Sequence, residues 1–242
     1  MATTAPAGSS HEPLPGTVRN PYSALPNWFY PANVVFWLGL FIVYAGVVVL
    51  FEQTGRYGPY LSPFFSPEVN LRLGGFLIPP ALWVAWAPLV FRLTCYYYRK
   101  AYFRSFLWHP RSCAVEEPKR GTYRGETRFW AFNNLHRFAL YAIVVQTMFL
   151  WYDALAALVQ HHQLGGLIGF GNLLMLANVL ALSGYTYGCH AFRHLAGGGT
   201  DCFSCHRVRH TLWKGVTVLN VRHDRWAWVS MFTVWGLSLI HI

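Results

Sequence analysis

The segment GCHAFRHLAGGGTDCFSCHRVRH, residues 188–210, gathers three of the chain's five cysteines and four of its eleven histidines. It repeats itself: Cys189-His190-x-x-Arg193-His194 is echoed by Cys205-His206-x-x-Arg209-His210. Thiolate and imidazole are the donors that hold zinc, iron and iron–sulfur centres, so metal chemistry is the first to weigh. Four readings compete. Cys202-Phe203-Ser204-Cys205-His206 fits the C-x-x-C-H pattern of covalent haem attachment. Cys202 and Cys205 with two histidines would make a structural zinc knuckle. A third reading is reduced cytosolic cysteines and headgroup-facing histidines with no metal at all. The fourth is a Rieske-type [2Fe–2S] cluster, two cysteines on one iron and two histidines on the other, which sits at a higher potential than an all-cysteine cluster. For that chemistry His190 and His194 share a helix face at i, i+4, LAGGGTD supplies a glycine turn, and Cys202 and Cys205 stand beside His206. The usual Rieske boxes, C-x-H and C-x-x-H, do not occur in that form.

The elements that must position these residues are membrane helices. The chain is 54% hydrophobic and only 12% charged, against about 25% charged in soluble domains. Five apolar runs approach the roughly 20 residues a spanning helix needs: Asn33–Glu52, Leu73–Tyr97, Leu135–Leu158, Gly165–Gly188 and Arg225–Ile242. The expected fold is all-α, an integral bundle of five transmembrane helices. Residues 1–30, rich in Pro, Ser, Thr and Gly without an apolar core, read as a flexible tail rather than a cleavable signal. Residues 31–242 read as one membrane domain. The last run reaches the end of the sequence without a polar flank, so its helix is expected to continue or to be atypical.

Arginine and lysine set the orientation. Arg99 to Arg128 carries eight of them and the segment after the fourth run six, against Arg56 and Arg72 alone between the first two runs. Fourteen against two places both basic loops, and the N-terminus, in the cytoplasm. The Cys/His segment then lies on the cytoplasmic side, whereas c-type haem is attached outside it, which weighs against the C-x-x-C-H reading. The net charge of +10 is accounted for by this bias and by contact with anionic lipid headgroups, so no nucleic acid is expected.

Proton or ion pathways place ionisable groups at mid-depth, and the apolar runs show none there, which argues against a transporter. Ligand-type residues gather instead at the cytoplasmic ends: His136 and Arg137 in NNLHRF, His190 and His194 past the fourth run, His223 before the fifth. His136 paired with His190, His194 or His223 would hold one haem b. A second haem is not expected, because only His161 and His162, in a loop, are available near the outer face.

Several longer stretches carry a family likeness: CYYYRKAYFRSFLWHP (95–110), CAVEEP (113–118), GETRFWAFNNLHRF (125–138), LSGYTYGCHAFRH (182–194) and LNVRHDRWAWVSMFTV (219–234). Over roughly residues 30–235 the chain resembles the single-chain, five-helix membrane anchor of actinobacterial succinate dehydrogenase, respiratory complex II. The resemblance implies a plasma-membrane subunit without succinate chemistry of its own. Its implied partners are a flavoprotein and an iron–sulfur subunit docked on the cytoplasmic side, and its electrons would go to a quinone, menaquinone being expected. One branch of the family carries a Rieske-type cluster in the anchor. The candidate metal residues are then Cys189, His190, His194, Cys202, Cys205 and His206, of which at most four can ligate, with Cys95 and Cys113 next in order should Cys202 and Cys205 not serve. Zinc stays open as the alternative. For the quinone, Trp108, His109, His136 and Arg137 lie near the inner interface, where a cationic or imidazole donor would stabilise a carbonyl gaining charge. Tyr96–Tyr98 and Trp226–Trp228 read as interfacial aromatic anchors.

Overall fold

The computed structural model describes residues 29–51, 55–102, 132–163, 169–197, 202 and 204–240. All but the last two residues of the expected tail, and the sites proposed at Trp108, His109 and Cys113, lie outside them.

Helix α1 (Phe29–Phe51) has no charged residue, and at 1.5 Å per residue it is about 35 Å long. Val34, Leu38, Phe41, Val48 and Val49 face inward, yet Phe36, Val43, Val47 and Leu50 face outward and are more than half exposed. A helix apolar on every side suits hydrocarbon on its outer face. Helix α5 (Phe132–Gln163) likewise turns apolar side chains outward, at Val145, Met148 and Tyr152. Among the described residues, these two helices have the length and composition of a membrane span, over Phe29–Phe51 and Leu135–Gln160. His161 and His162, expected in a loop, fall in the last turn of α5.

The second apolar run is not one helix. Its first part forms a hairpin, β3 (Leu71–Leu73) against β4 (Phe76–Ile78), which follows a smaller one, β1 (Arg56–Tyr57) against β2 (Tyr60–Leu61). Gly74 and Gly75, at φ 54° and 92°, supply the left-handed two-residue turn that a tight hairpin demands. Pro79-Pro80 starts a helix rather than kinking one: Pro80 opens α2 (Pro80–Val84), where its missing N–H costs nothing. Pro88 cannot donate to the carbonyl of Val84, and the helix is interrupted at Ala85 before continuing as α3 (Trp86–Thr94). The chain bends at Cys95 into α4 (Tyr96–Tyr102).

The remaining helices are α6 (Phe170–Tyr187), α7 (His190–Gly197), α8 (Arg207–Asn220) and α9 (His223–Ile240). Helix α6 packs on α9 and on α5, α5 on α3, and α1 on α4. Gly184 is what lets α6 and α9 close up, since a Cβ there would lie 2.5 Å from the Trp226 ring. Helices α7 and α8 pair with each other: Arg193 lies 4.4 Å over the Trp213 ring and donates to Thr217 Oγ1 at 3.1 Å. Asn220 Nδ2 donates to the Gly188 carbonyl at 2.7 Å, tying this hairpin to the end of α6.

Candidate metal centre

Where α3 gives way to α4 and α6 to α7, the chain makes the same turn twice. Cys95 precedes α4 and accepts its first helical hydrogen bond, from Arg99 N–H at 2.8 Å. Cys189 precedes α7 and accepts from Arg193 N–H at 2.9 Å. Each thiol therefore occupies an N-cap position, where a helix start presents free N–H groups. The Ala191 N–H reaches the Cys189 sulfur at 3.3 Å. Both cysteines are buried, at 1% and 2% exposure. Burial first, and the nearby Cys95 second, push the Cys189 thiol up to about 12.

Two histidines from helix starts meet these thiols. His136, in the second turn of α5, has its Nε2 2.8 Å from the Cys189 sulfur. His223, the first residue of α9, has its Nε2 3.4 Å from the Cys95 sulfur. The tautomer of His136 follows from its other nitrogen. Nδ1 lies 3.0 Å from the Phe91 carbonyl and 3.1 Å from Thr94 Oγ1. The Thr94 hydroxyl spends its hydrogen on the Val90 carbonyl at 2.6 Å. Both neighbours of Nδ1 are thus acceptors, Nδ1 carries the proton, and the Nε2 lone pair faces the thiol. A carbonyl fixing the far nitrogen is the usual support of a metal-binding imidazole. Phe91 stacks on the ring at 4.4 Å and holds its plane. His223 stacks on Tyr185 at 5.0 Å, and its Nδ1 is buried with no hydrogen-bond partner among the described residues.

Cys95, His136, Cys189 and His223 line one cavity of about 940 Å³. Among the described residues no three Cys, His or carboxylate side chains converge closely enough for a single metal ion. The four stand as two Cys–His pairs. Two thiols and two imidazoles are by donor type the set of a Rieske-type [2Fe–2S] cluster, which spreads its ligands over two metals.

The residues expected as ligands from sequence fall in different places. Cys189 stands in the cavity wall, and His190, His194 and Arg137 line it as well, with His190, His194 and Arg137 exposed. Cys202, Cys205 and His206 do not line it. Cys202 and Cys205 are joined as a disulfide, and Cys205 and His206 are exposed. The physical reason is α7: its eight residues carry the chain about 12 Å away from Cys189 before the second cysteine pair is reached. The histidines weighed for haem b, His136, His190, His194 and His223, all line the same cavity. What sequence reading undervalued was Cys95 and His223, which are 128 residues apart. Tyr97 and Tyr98, expected as interfacial anchors, are buried instead. The Tyr97 hydroxyl meets Tyr30 OH at 2.6 Å and accepts from Trp228 Nε1 at 2.7 Å.

A bundle of helices apolar on their outer faces, with two buried thiols meeting imidazoles at one end, defines a membrane-embedded helical subunit with an internal candidate ligand site. The chain belongs to the actinobacterial succinate dehydrogenase subunit SdhC family, whose model matches residues 29–240. It is also similar to a chain of the solved Mycobacterium smegmatis Sdh1 complex in the apo form, at 35% identity and a TM-score of 0.75, over 94% of this chain and 92% of that one. No curated protein matches the sequence. The chain is therefore an SdhC-type membrane-anchor subunit of a succinate dehydrogenase complex, and its partners include other subunits of that complex.

Proposed function

We propose that this subunit passes electrons from a docked iron–sulfur subunit to menaquinone through a Rieske-type [2Fe–2S] cluster held by Cys95, Cys189, His136 and His223. The observation that carries the reading is the meeting of two buried thiols with two imidazoles in one cavity. When bound, such a cluster accepts and releases one electron at a potential raised by its imidazole ligands. The chain's own part is to present and shield the ligands. The Phe91 carbonyl and Thr94 hydroxyl hold the His136 proton on Nδ1, and the Ala191 N–H donates to the Cys189 sulfur. Each observed pair mixes sulfur with nitrogen, so Rieske ligation requires the side chains to re-pair by rotation about their χ angles.

Five spans, with the N-terminus and both basic loops cytoplasmic, put this cavity at the inner face of a bacterial plasma membrane, between the docked partners and the lipid. The spans are α1, α2 with α3, α5, α6 and α9. Quinone binds at the same end. His136 is committed to the cluster in this reading, which leaves Arg137 on the cavity wall as the donor for a reduced quinone oxygen.

The test is EPR of the purified, dithionite-reduced complex together with iron and acid-labile sulfide analysis. Cys95→Ser or Cys189→Ser abolishes a [2Fe–2S] signal that Cys202→Ser and Cys205→Ser leave unchanged. Zinc without iron, or a b-type optical band without a [2Fe–2S] signal, would overturn the cluster in favour of a structural zinc site or a haem b anchor.

A further inference from the structure

Arg92 is a buried cation near the inner end of α3, only 6% exposed, and among the described residues no carboxylate pairs with it. A charge taken out of water is strongly unfavourable unless its hydrogen bonds are met, and here neutral groups meet them. Nη1 donates to Tyr98 OH at 3.0 Å and to the Ala227 carbonyl at 3.3 Å, and Nη2 donates to Ser230 Oγ at 3.0 Å. The guanidinium also lies 4.8 Å from the ring centroid of Tyr185 and 5.5 Å from that of Phe41. Hydroxyls, a carbonyl and two aromatic faces hold the guanidinium in place without neutralising it, so its field persists in a poorly screened interior.

That field falls on the candidate metal centre. The Tyr185 ring that takes the guanidinium also stacks on His223 at 5.0 Å and 11° between planes. The guanidinium carbon and the imidazole centroid are therefore at most about 10 Å apart. Cys95 is three residues from Arg92 and donates its N–H to the Arg92 carbonyl at 3.2 Å. Tyr98, which receives the guanidinium, sits in the first turn of α4 with Cys95 as its cap.

We propose that Arg92 sets the reduction potential of the centre held at Cys95, Cys189, His136 and His223, a proposal that rests on reading that site as a redox centre. Reduction adds one electron to the centre, and a fixed cation within about 10 Å of its His223 side chain favours the reduced form. At an effective dielectric constant near 20 the effect is on the order of tenfold in the reduction equilibrium, or about 59 mV for a one-electron couple. Arg92 is a positioning and charge-setting residue rather than a ligand.

The experiment is an EPR-monitored redox titration of the purified complex carrying Arg92→Lys, Arg92→Gln or Ser230→Asp. Arg92→Lys keeps the charge and the wild-type midpoint. Arg92→Gln removes the charge, and Ser230→Asp sets a carboxylate beside the intact guanidinium; each lowers the midpoint by about 59 mV, a tenfold change. Should the glutamine variant fail to assemble, the aspartate variant decides. A [2Fe–2S] signal whose midpoint is the same in all variants overturns this proposal and leaves the cluster reading standing. Absence of that signal from the wild-type complex overturns both.

Discussion

His136 shows how much a single proton position decides. With the Phe91 carbonyl and the Thr94 hydroxyl both accepting at Nδ1, the imidazole is left with one donor atom for a metal, and that atom faces Cys189. Replacing His136 with Gln is expected to remove the [2Fe–2S] EPR signal from a complex that still assembles. Thr94→Val is expected to keep it, because the Phe91 carbonyl alone still holds the Nδ1 proton. Tyr97 is a second residue whose weight comes from its hydroxyl. Tyr97→Phe removes the hydroxyl that meets Tyr30 OH and accepts from the Trp228 N–H. Leaving a half-buried donor unpaired costs about 1–3 kcal/mol, which a thermal melt of the detergent-solubilised complex would register as a lowered midpoint. Neither role is legible from residue type. An imidazole reads equally as quinone donor, haem ligand or cluster ligand until its hydrogen bonds are known, and a tyrosine triplet looks like an interfacial belt until its burial is known.

Between elements, the decisive contact is that of α6 with α9. Cys189 lies just past the end of α6 and His223 opens α9, so the spacing of these helices sets how the two halves of the site face each other. Gly184 governs that spacing through Trp226. Gly184→Val is expected to cost about 1–3 kcal/mol through overpacking, lowering the melting temperature and weakening the EPR signal together, whereas Gly215→Ala, with open space around it, lowers neither. The second apolar run teaches a related lesson. Its hydropathy resembles that of a span, but Gly74-Gly75 between apolar stretches is a hairpin signal and Pro80 is a helix-start signal. Local turn chemistry prevailed over mean hydropathy there, and only the part after Pro79 became helical.

For the whole molecule, the charge asymmetry predicts which face is reachable from which side. In the proposed orientation Tyr57, 64% exposed in the first hairpin, would lie on the sparsely charged outer side, and Lys214 on α8 on the basic inner side. Tyr57→Cys should therefore react with a membrane-impermeant maleimide on intact cells, and Lys214→Cys only after lysis. The opposite pattern would invert the bundle and move the candidate centre to the outer face, away from any cytoplasmic partner.

Sequence by itself determined the class of molecule, because composition, the apolar runs and the distribution of arginine act along the chain and need no tertiary contact. It also marked one end of the helices as the place where sulfur and imidazole collect. Which of those residues meet was decided only in three dimensions. Residues 189–210 look like one ligand cluster because they are close in sequence, but α7 leads the chain away from Cys189 and the later cysteines pair with each other. The partners of Cys189 and Cys95 come from α5 and α9, brought near by helix packing across 53 and 128 residues. Spacing along a chain measures distance only within one element; between elements, packing measures it.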